Sequence, residues 1–376
     1  MSDSTANTDI LIPSELLPRD GRFGSGPSKV RKEAVDALVA RSADYLGTSH
    51  RQNTVKSVVG EVRSGLRQLF SIPEGYEVVL GNGGSTYFWD TAVFSLIANK
   101  SQHLSFGEFS AKFASSAKMA PFIQDPEVIK AEPGSRPEAV ANDEIDLYAF
   151  THNETSTGVF MDIIRPAGAK GLVAVDATSA AAGLTVEASQ FDCYYFAPQK
   201  AFASDGGIWF ALMSPAAIER VKEIKASGRY IPPALDLSIA LDNSVLNQTY
   251  NTPALATIFL MNEQIKWMNE NGGLPFSTGR SAQSSGIVYN WAIASDFATP
   301  FVKDPAMRSN VVATIDFDDN IDAASIAKVL RKNGIVDVEP YRKLGRNQLR
   351  IATFPAVDPS DVEALVASID YVVSKF

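Results

Sequence analysis

Two stretches decide the fold: Leu172-Val173-Ala174-Val175-Asp176, and Cys193-Tyr194-Tyr195-Phe196-Ala197-Pro198-Gln199-Lys200. Each opens with a short continuous apolar run, the pattern of a strand buried on both faces. Residues 77–80, 147–150 and Ile208–Met213 repeat that pattern, with helically spaced stretches such as 85–98 between them. The alternation predicts a mostly parallel α/β sheet. After a helical stretch at 255–271, Gly272-Gly273 breaks the pattern, and the remainder reads as a smaller α+β unit. There, strands are expected at 311–317, 335–338 and 349–353, a helix at 322–333 closed by Gly334, and a last helix capped by Ser360 and Glu363. At 376 residues, two domains are the expectation: 27–273, and 274–376 with 1–26 packing on it.

Composition narrows the function classes. The chain is 45% apolar and 20% charged, with a net charge of −9, which argues against a nucleic-acid or anionic-membrane surface. No apolar run approaches the roughly 18 residues of a membrane span, and Met1 to Asp9 lacks the features of a secretory signal. One cysteine, Cys193, precludes an internal disulfide and suits a reducing cytosol. The three histidines, His50, His103 and His152, are not spaced for a shared metal site, so no metal is expected.

Ligands of open α/β sheets bind beyond the carboxyl ends of the strands, so the residues directly after each strand are informative. The first strand leads into Gly81-Asn82-Gly83-Gly84-Ser85-Thr86 and a helix. That turn is either an anion cradle at a helix N-terminus or simply a tight strand-to-helix connection. Asp176 either pairs with a protonated ring nitrogen or caps the segment behind it. Lys200 is either an imine-forming amine made reactive by burial or a solvated loop lysine. Its apolar neighbours Phe196, Ala197, Pro198, Ala201 and Phe202 favour the first reading. All three groups fall on one sheet edge.

In this setting Asp176 and Gln199-Lys200 resemble the signature of fold-type I pyridoxal-phosphate enzymes, in the branch that holds the phosphoserine aminotransferases. The likeness extends through Ser25-Gly26-Pro27, Ser49-His50-Arg51, Gly83-Gly84-Ser85-Thr86, Asn153-Glu154-Thr155, Asn251-Thr252-Pro253 and Leu349-Arg350. It implies that Lys200 carries the cofactor covalently and moves the substrate Cα proton, and that Asp176 meets the pyridine nitrogen. It further implies Ser85, Thr86 and Gln199 at the cofactor phosphate, Thr155 near the ring oxygen, and Phe109 stacked on the ring. Asn251 and Thr252 are implied to reach the neighbouring subunit's cofactor, which makes the expected assembly a homodimer with shared sites.

The implied substrates are small, doubly anionic amino and keto acids: glutamate and 3-phosphohydroxypyruvate, converted to 2-oxoglutarate and O-phosphoserine in serine biosynthesis. A phosphorylated four-carbon keto acid of vitamin B6 synthesis is a further implied substrate. Arg350 suits a bidentate α-carboxylate clamp, and His50 and Arg51 suit the distal anion. Where many relatives carry a His-Arg pair, this chain reads Tyr341-Arg342-Lys343-Leu344-Gly345-Arg346, leaving Arg342, Lys343 and Arg346 as alternative anion contacts. An alanine–glyoxylate or serine–pyruvate type transaminase is the nearest rival, and it has no use for a second anion site. A desulfurase needs a mobile cysteine, whereas Cys193 lies in an expected buried strand. A nicotinamide dehydrogenase needs a glycine fingerprint that 81–86 does not supply.

Overall fold

The computed structural model describes residues 9–376. Twelve strands run in chain order: β1 (Glu77–Asn82), β2 (Ser101–Ser105), β3 (Glu127–Lys130), β4 (Leu147–Thr151), β5 (Asn153–Glu154), β6 (Val159–Phe160), β7 (Leu172–Asp176), β8 (Cys193–Phe196), β9 (Ile208–Met213), β10 (Ala298–Pro300), β11 (Val312–Phe317) and β12 (Gln348–Ala352). Seven of them form one sheet in the order β1-β9-β8-β7-β4-β2-β3. β9 is antiparallel to both β1 and β8, and every other pairing is parallel. Six strands therefore point one way, and the ends of β1, β4, β7 and β8 share an edge.

Period-two alternation explains why these strands are apolar throughout. Val173, Val175, Tyr194, Phe196, Phe210 and Leu212 face one buried layer, with Val58, Val62 and Leu66 of the helix Asn53–Leu69. Ala174, Cys193, Tyr195, Trp209 and Ala211 face the other, with Phe88 and Trp89 of the helix Ser85–Ser95. A second sheet, β10-β11-β12, is antiparallel. Its core joins Ile315, Ile351 and Leu349 to Ile326, Leu330, Leu365 and Ile369, and also takes in Ile10, Ile12 and Phe23. Residues 1–8, the start of the segment expected to pack there, lie outside the described residues.

Three expectations are corrected. The strand expected at 335–338 is a single bridge, Arg22 to Val336, because Asp337 takes a left-handed φ of 66° and breaks the extended run. The last helix, Pro359–Val373, is capped by Asp358, whose carboxylate accepts the Ser360 N–H. Proline at the first helical position leaves the cap two residues earlier than the expected Ser360 box. The helix expected over 85–98 stops at Ser95, where the Arg229 guanidinium takes the carbonyls of Phe94, Ile97 and Ala98. Among the described residues no helix is long and apolar enough to cross a membrane.

Candidate active site

Beyond the shared edge lies a cavity of about 430 Å³. The elements explain which side chains enter it. β1 ends at Asn82, and Gly83 turns the chain with a φ of 107°, a conformation open to glycine. Gly84 then precedes the helix Ser85–Ser95, so Ser85 and Thr86 sit at its positive end, on the cavity wall. β7 delivers Asp176 to the wall, and the turn after β8 delivers Gln199 and Lys200. Phe109 and Thr155 complete the seven expected residues that the structure brings together here.

Asp176 closes the local turn and also lines the cavity. Its Oδ1 accepts the Thr178 N–H at 3.0 Å and the Thr178 hydroxyl at 2.5 Å, a local turn closure. Its Oδ2 accepts the Trp89 indole N–H at 3.0 Å, which fixes the carboxylate plane while the residue still lines the cavity. Burial pushes its pKa upward, and the Thr178 and Trp89 donors and the Lys200 charge oppose that shift. Trp89 was not foreseen. Its spacing of one helical turn from Ser85 puts the two on one face, and this was the available signal.

Lys200 is buried, with Nζ donating to the Ser25 carbonyl. Gly26, with a φ of 142°, passes so close that any Cβ there would collide with the lysine side chain. This is the close approach for which Ser25-Gly26-Pro27 needs its glycine. Burial, then the charge of Arg350, pulls the amine down to about 7, against the opposing pull of Asp176 and Glu154. A free amine at neutral pH is the species that imine formation and proton abstraction require.

Arg350 projects from β12, the second sheet, to the same place. One Nη1 N–H reaches the Thr155 carbonyl at 3.2 Å, the guanidinium lies 5.5 Å from the centre of the Tyr341 ring, and Nε is buried without a partner. A buried guanidinium with an unmet donor is unfavourable unless an anion supplies the acceptor. The Tyr341 ring also lies 6.0 Å from Phe109, and Lys343 pairs with Glu108 at 2.5 Å. The loop at 341–346 is thus strapped onto the helix Glu108–Met119 that carries Phe109.

The remaining expected residues are elsewhere. Arg346 makes a two-pronged pair with Asp316, at 3.1 and 2.5 Å, and stacks 4.6 Å over Phe301. Its donors are thus engaged on β11 in this chain. Arg342 is exposed in the turn Arg342–Leu344 and does not line the cavity. His50 and Arg51 also lie outside it. Arg51 is exposed and donates to Gln248 Oε1 at 2.6 Å, and His50 is drawn down in basicity by partial burial and by Arg51. Asn251 lines a different cavity, of about 490 Å³, and the Thr252 carbonyl accepts the Asn82 amide at 2.9 Å. His50, Arg51, Asn251 and Thr252 therefore do not reach this chain's own cavity.

Comparison with known proteins agrees with this arrangement. The family model for class-V aminotransferases matches residues 22–337. The phosphoserine aminotransferase of Rhodococcus jostii is 63% identical over 97% of this chain and 98% of its own length. The chain belongs to the class-V aminotransferase family. It is a pyridoxal-phosphate-dependent transaminase of that family. A Corynebacterium glutamicum phosphoserine aminotransferase is 58% identical over 96% of both chains. Among solved structures, that of a phosphoserine aminotransferase from Cytophaga hutchinsonii superposes with a TM-score of 0.87 over 94% of this chain and 99% of its own, at 22% identity. A Thermus thermophilus aspartate aminotransferase superposes at 0.80 over 94% and 98%, also at 22% identity, so the shape fixes the fold of this transaminase and not its substrate.

The residues present suit the cofactor. Ser25 Oγ, Asn153 Oδ1 and Gln199 Oε1 are buried at or beside the cavity with no partner among the described residues, an unusual cluster of unmet polar atoms. They call for a polar occupant. The desulfurase alternative is excluded: Cys193 is buried mid-sheet on β8, and burial raises its thiol well above the reactive range.

Proposed function

We propose that this transaminase moves the amino group between glutamate and 3-phosphohydroxypyruvate, forming O-phosphoserine and 2-oxoglutarate. The observation that carries the proposal is 63% identity, over nearly all of both chains, to a protein named phosphoserine aminotransferase. When bound, pyridoxal phosphate supplies an electron sink. The residues supply the rest. Lys200 would hold the cofactor covalently through Nζ and, as the free amine, would carry the substrate Cα proton across to the cofactor carbon. Asp176, steadied by Trp89 and Thr178, would keep a proton on the ring nitrogen. Ser85, Thr86 and Gln199 bind the phosphate, with the helix terminus behind them. Thr155 would meet the ring oxygen, Phe109 would face the ring, and Arg350 would clamp the α-carboxylate.

The distal anion is assigned to His50 and Arg51 of a second copy, with Asn251 and Thr252 reaching the cofactor phosphate of that copy's partner. Two observations support this. Arg51 is tied to Gln248, in the same loop as Asn251 and Thr252. The same segments expose Leu46, Val245, Leu246 and Tyr250, apolar surface suited to a subunit interface. A homodimer, a cytosolic setting and the phosphorylated keto acid of vitamin B6 synthesis as second substrate belong to the same proposal. So does the division at 27–273 and 274–376: most of the second unit packs in a core of its own, while Phe301, Val302, Val311, Val312, Ala352 and Phe354 join the large core.

Steady-state turnover with phosphoserine and with alanine, each against 2-oxoglutarate, tests the substrate. Arg51→Ala is expected to lower kcat/KM for phosphoserine by about tenfold to a hundredfold and to leave alanine within about twofold. Equal losses for both substrates, or a parent enzyme that prefers alanine, would reject the distal-anion role.

A further inference from the structure

Glu154 is completely buried, and among the described residues no cation pairs with its carboxylate. Donors surround it instead. Its Oε2 accepts the backbone N–H groups of Phe109 at 3.1 Å and Ser110 at 2.9 Å, and the Ser110 hydroxyl at 2.9 Å. Its Oε1 accepts the Ser156 N–H at 3.2 Å and the Ser156 hydroxyl at 2.7 Å. Phe109 and Ser110 open the helix Glu108–Met119, where N–H groups have no acceptor within the helix. Ser156 Oγ takes the Glu108 N–H at 3.1 Å, so residues 154–156 hold that whole first turn. Gly107 completes the fit, since a Cβ there would run into the Glu154 carboxyl. A helix entrance is thus capped by a carboxylate far away in sequence, and the residue so fixed, Phe109, forms a wall of the cavity.

We propose that Glu154 is a positioning residue for the cofactor: through the backbone of residues 107–110 its carboxylate sets the Phe109 ring as the surface against which the cofactor ring is held. This rests on reading the cavity as the pyridoxal-phosphate site. A carboxylate is required because both of its oxygens face donors. In Glu154→Gln, either orientation of the amide turns an NH2 group toward N–H groups and leaves at least one of them without an acceptor.

The test is a double-mutant cycle on the apoprotein, read as the Kd for pyridoxal phosphate from an absorbance titration. Glu154→Gln and Phe109→Leu are each expected to weaken binding by about tenfold, with the double variant within about twofold of Phe109→Leu alone. A purely structural loss would lower the melting temperature of the apoprotein and multiply with the Phe109 effect. Multiplied losses, or a Glu154→Gln protein within about twofold of the parent, overturn the proposal. If Glu154→Gln does not fold, Ser156→Ala enters the same cycle. It keeps the carboxylate and removes one donor, so a loss that vanishes in the Phe109→Leu background supports the proposal, and no loss or a multiplied one overturns it. A parent protein that binds no pyridoxal phosphate would instead sink the reading of the cavity itself.

Discussion

Lys200→Ala is expected to abolish transamination, with kcat reduced by at least about 10³-fold, while the protein still folds. The side chain is buried, but it is held by one hydrogen bond to the Ser25 carbonyl and has no ion pair among the described residues, so its loss breaks no salt bridge and removes only the longer-range attraction to Asp176 and Glu154. Removing a desolvated amine also relieves a burial cost. Melting temperature and activity should therefore separate: stability within about 1 kcal/mol of the parent, activity gone. Binding of pyridoxal phosphate should persist in weakened, non-covalent form, because Asp176, Ser85 and Thr86 remain. An Ala variant retaining parental kcat would remove Lys200 from the chemistry.

Arg350→Ala carries the second large effect, and it has two parts. The guanidinium bonds the carbonyl of Thr155, a cavity residue, and Nε has no partner among the described residues, so on the proposed reading an amino-acid carboxylate would be its acceptor. Truncation should cost about 2–4 kcal/mol of transition-state binding, seen as a fall of about 30-fold or more in kcat/KM for both amino donors. The other part is electrostatic. Burial and then Arg350 hold the Lys200 amine at about 7. A neighbouring positive charge disfavours the protonated amine, so removing it raises the pKa and demands a higher pH for the same free-amine fraction. In the apoprotein, the pH dependence of cofactor capture should have its midpoint near 7 in the parent and shift to higher pH in Arg350→Ala. A midpoint unchanged by the substitution would mean that the two groups do not feel each other.

Much of this site is legible along the chain because its parts lie at the ends of strands that read plainly. β7, β8 and β9 are unbroken apolar runs, and the residues just past the parallel ones must emerge on one edge. Asp176 and Lys200 could be placed without knowing any contact between them. β2 escaped because its residues, Ser101, Gln102 and His103, are polar. They are nonetheless buried, with Gln102 bonded to Glu127 and Val140, and His103 to Ser101. Polar groups satisfied by distant partners erase the periodicity on which a sequence reading depends. β3 escaped as a short, half-exposed edge strand.

The same limit governs the side chains. Trp89 meets Asp176 across 87 residues, and Glu154 meets Ser110 across 44, pairings that no local pattern displays. Arg346 looked equivalent to Arg342 and Lys343 as a cation in a basic loop. Asp316, brought alongside by the β11–β12 pairing, distinguishes it.

The most direct measurement is borohydride reduction of the protein loaded with pyridoxal phosphate, with digestion and mass mapping of the labelled lysine. The pyridoxyl mass is expected on the peptide carrying Lys200 and on no other. Label on a different lysine, or unmodified Lys200 in a protein saturated with cofactor, would contradict the assignment.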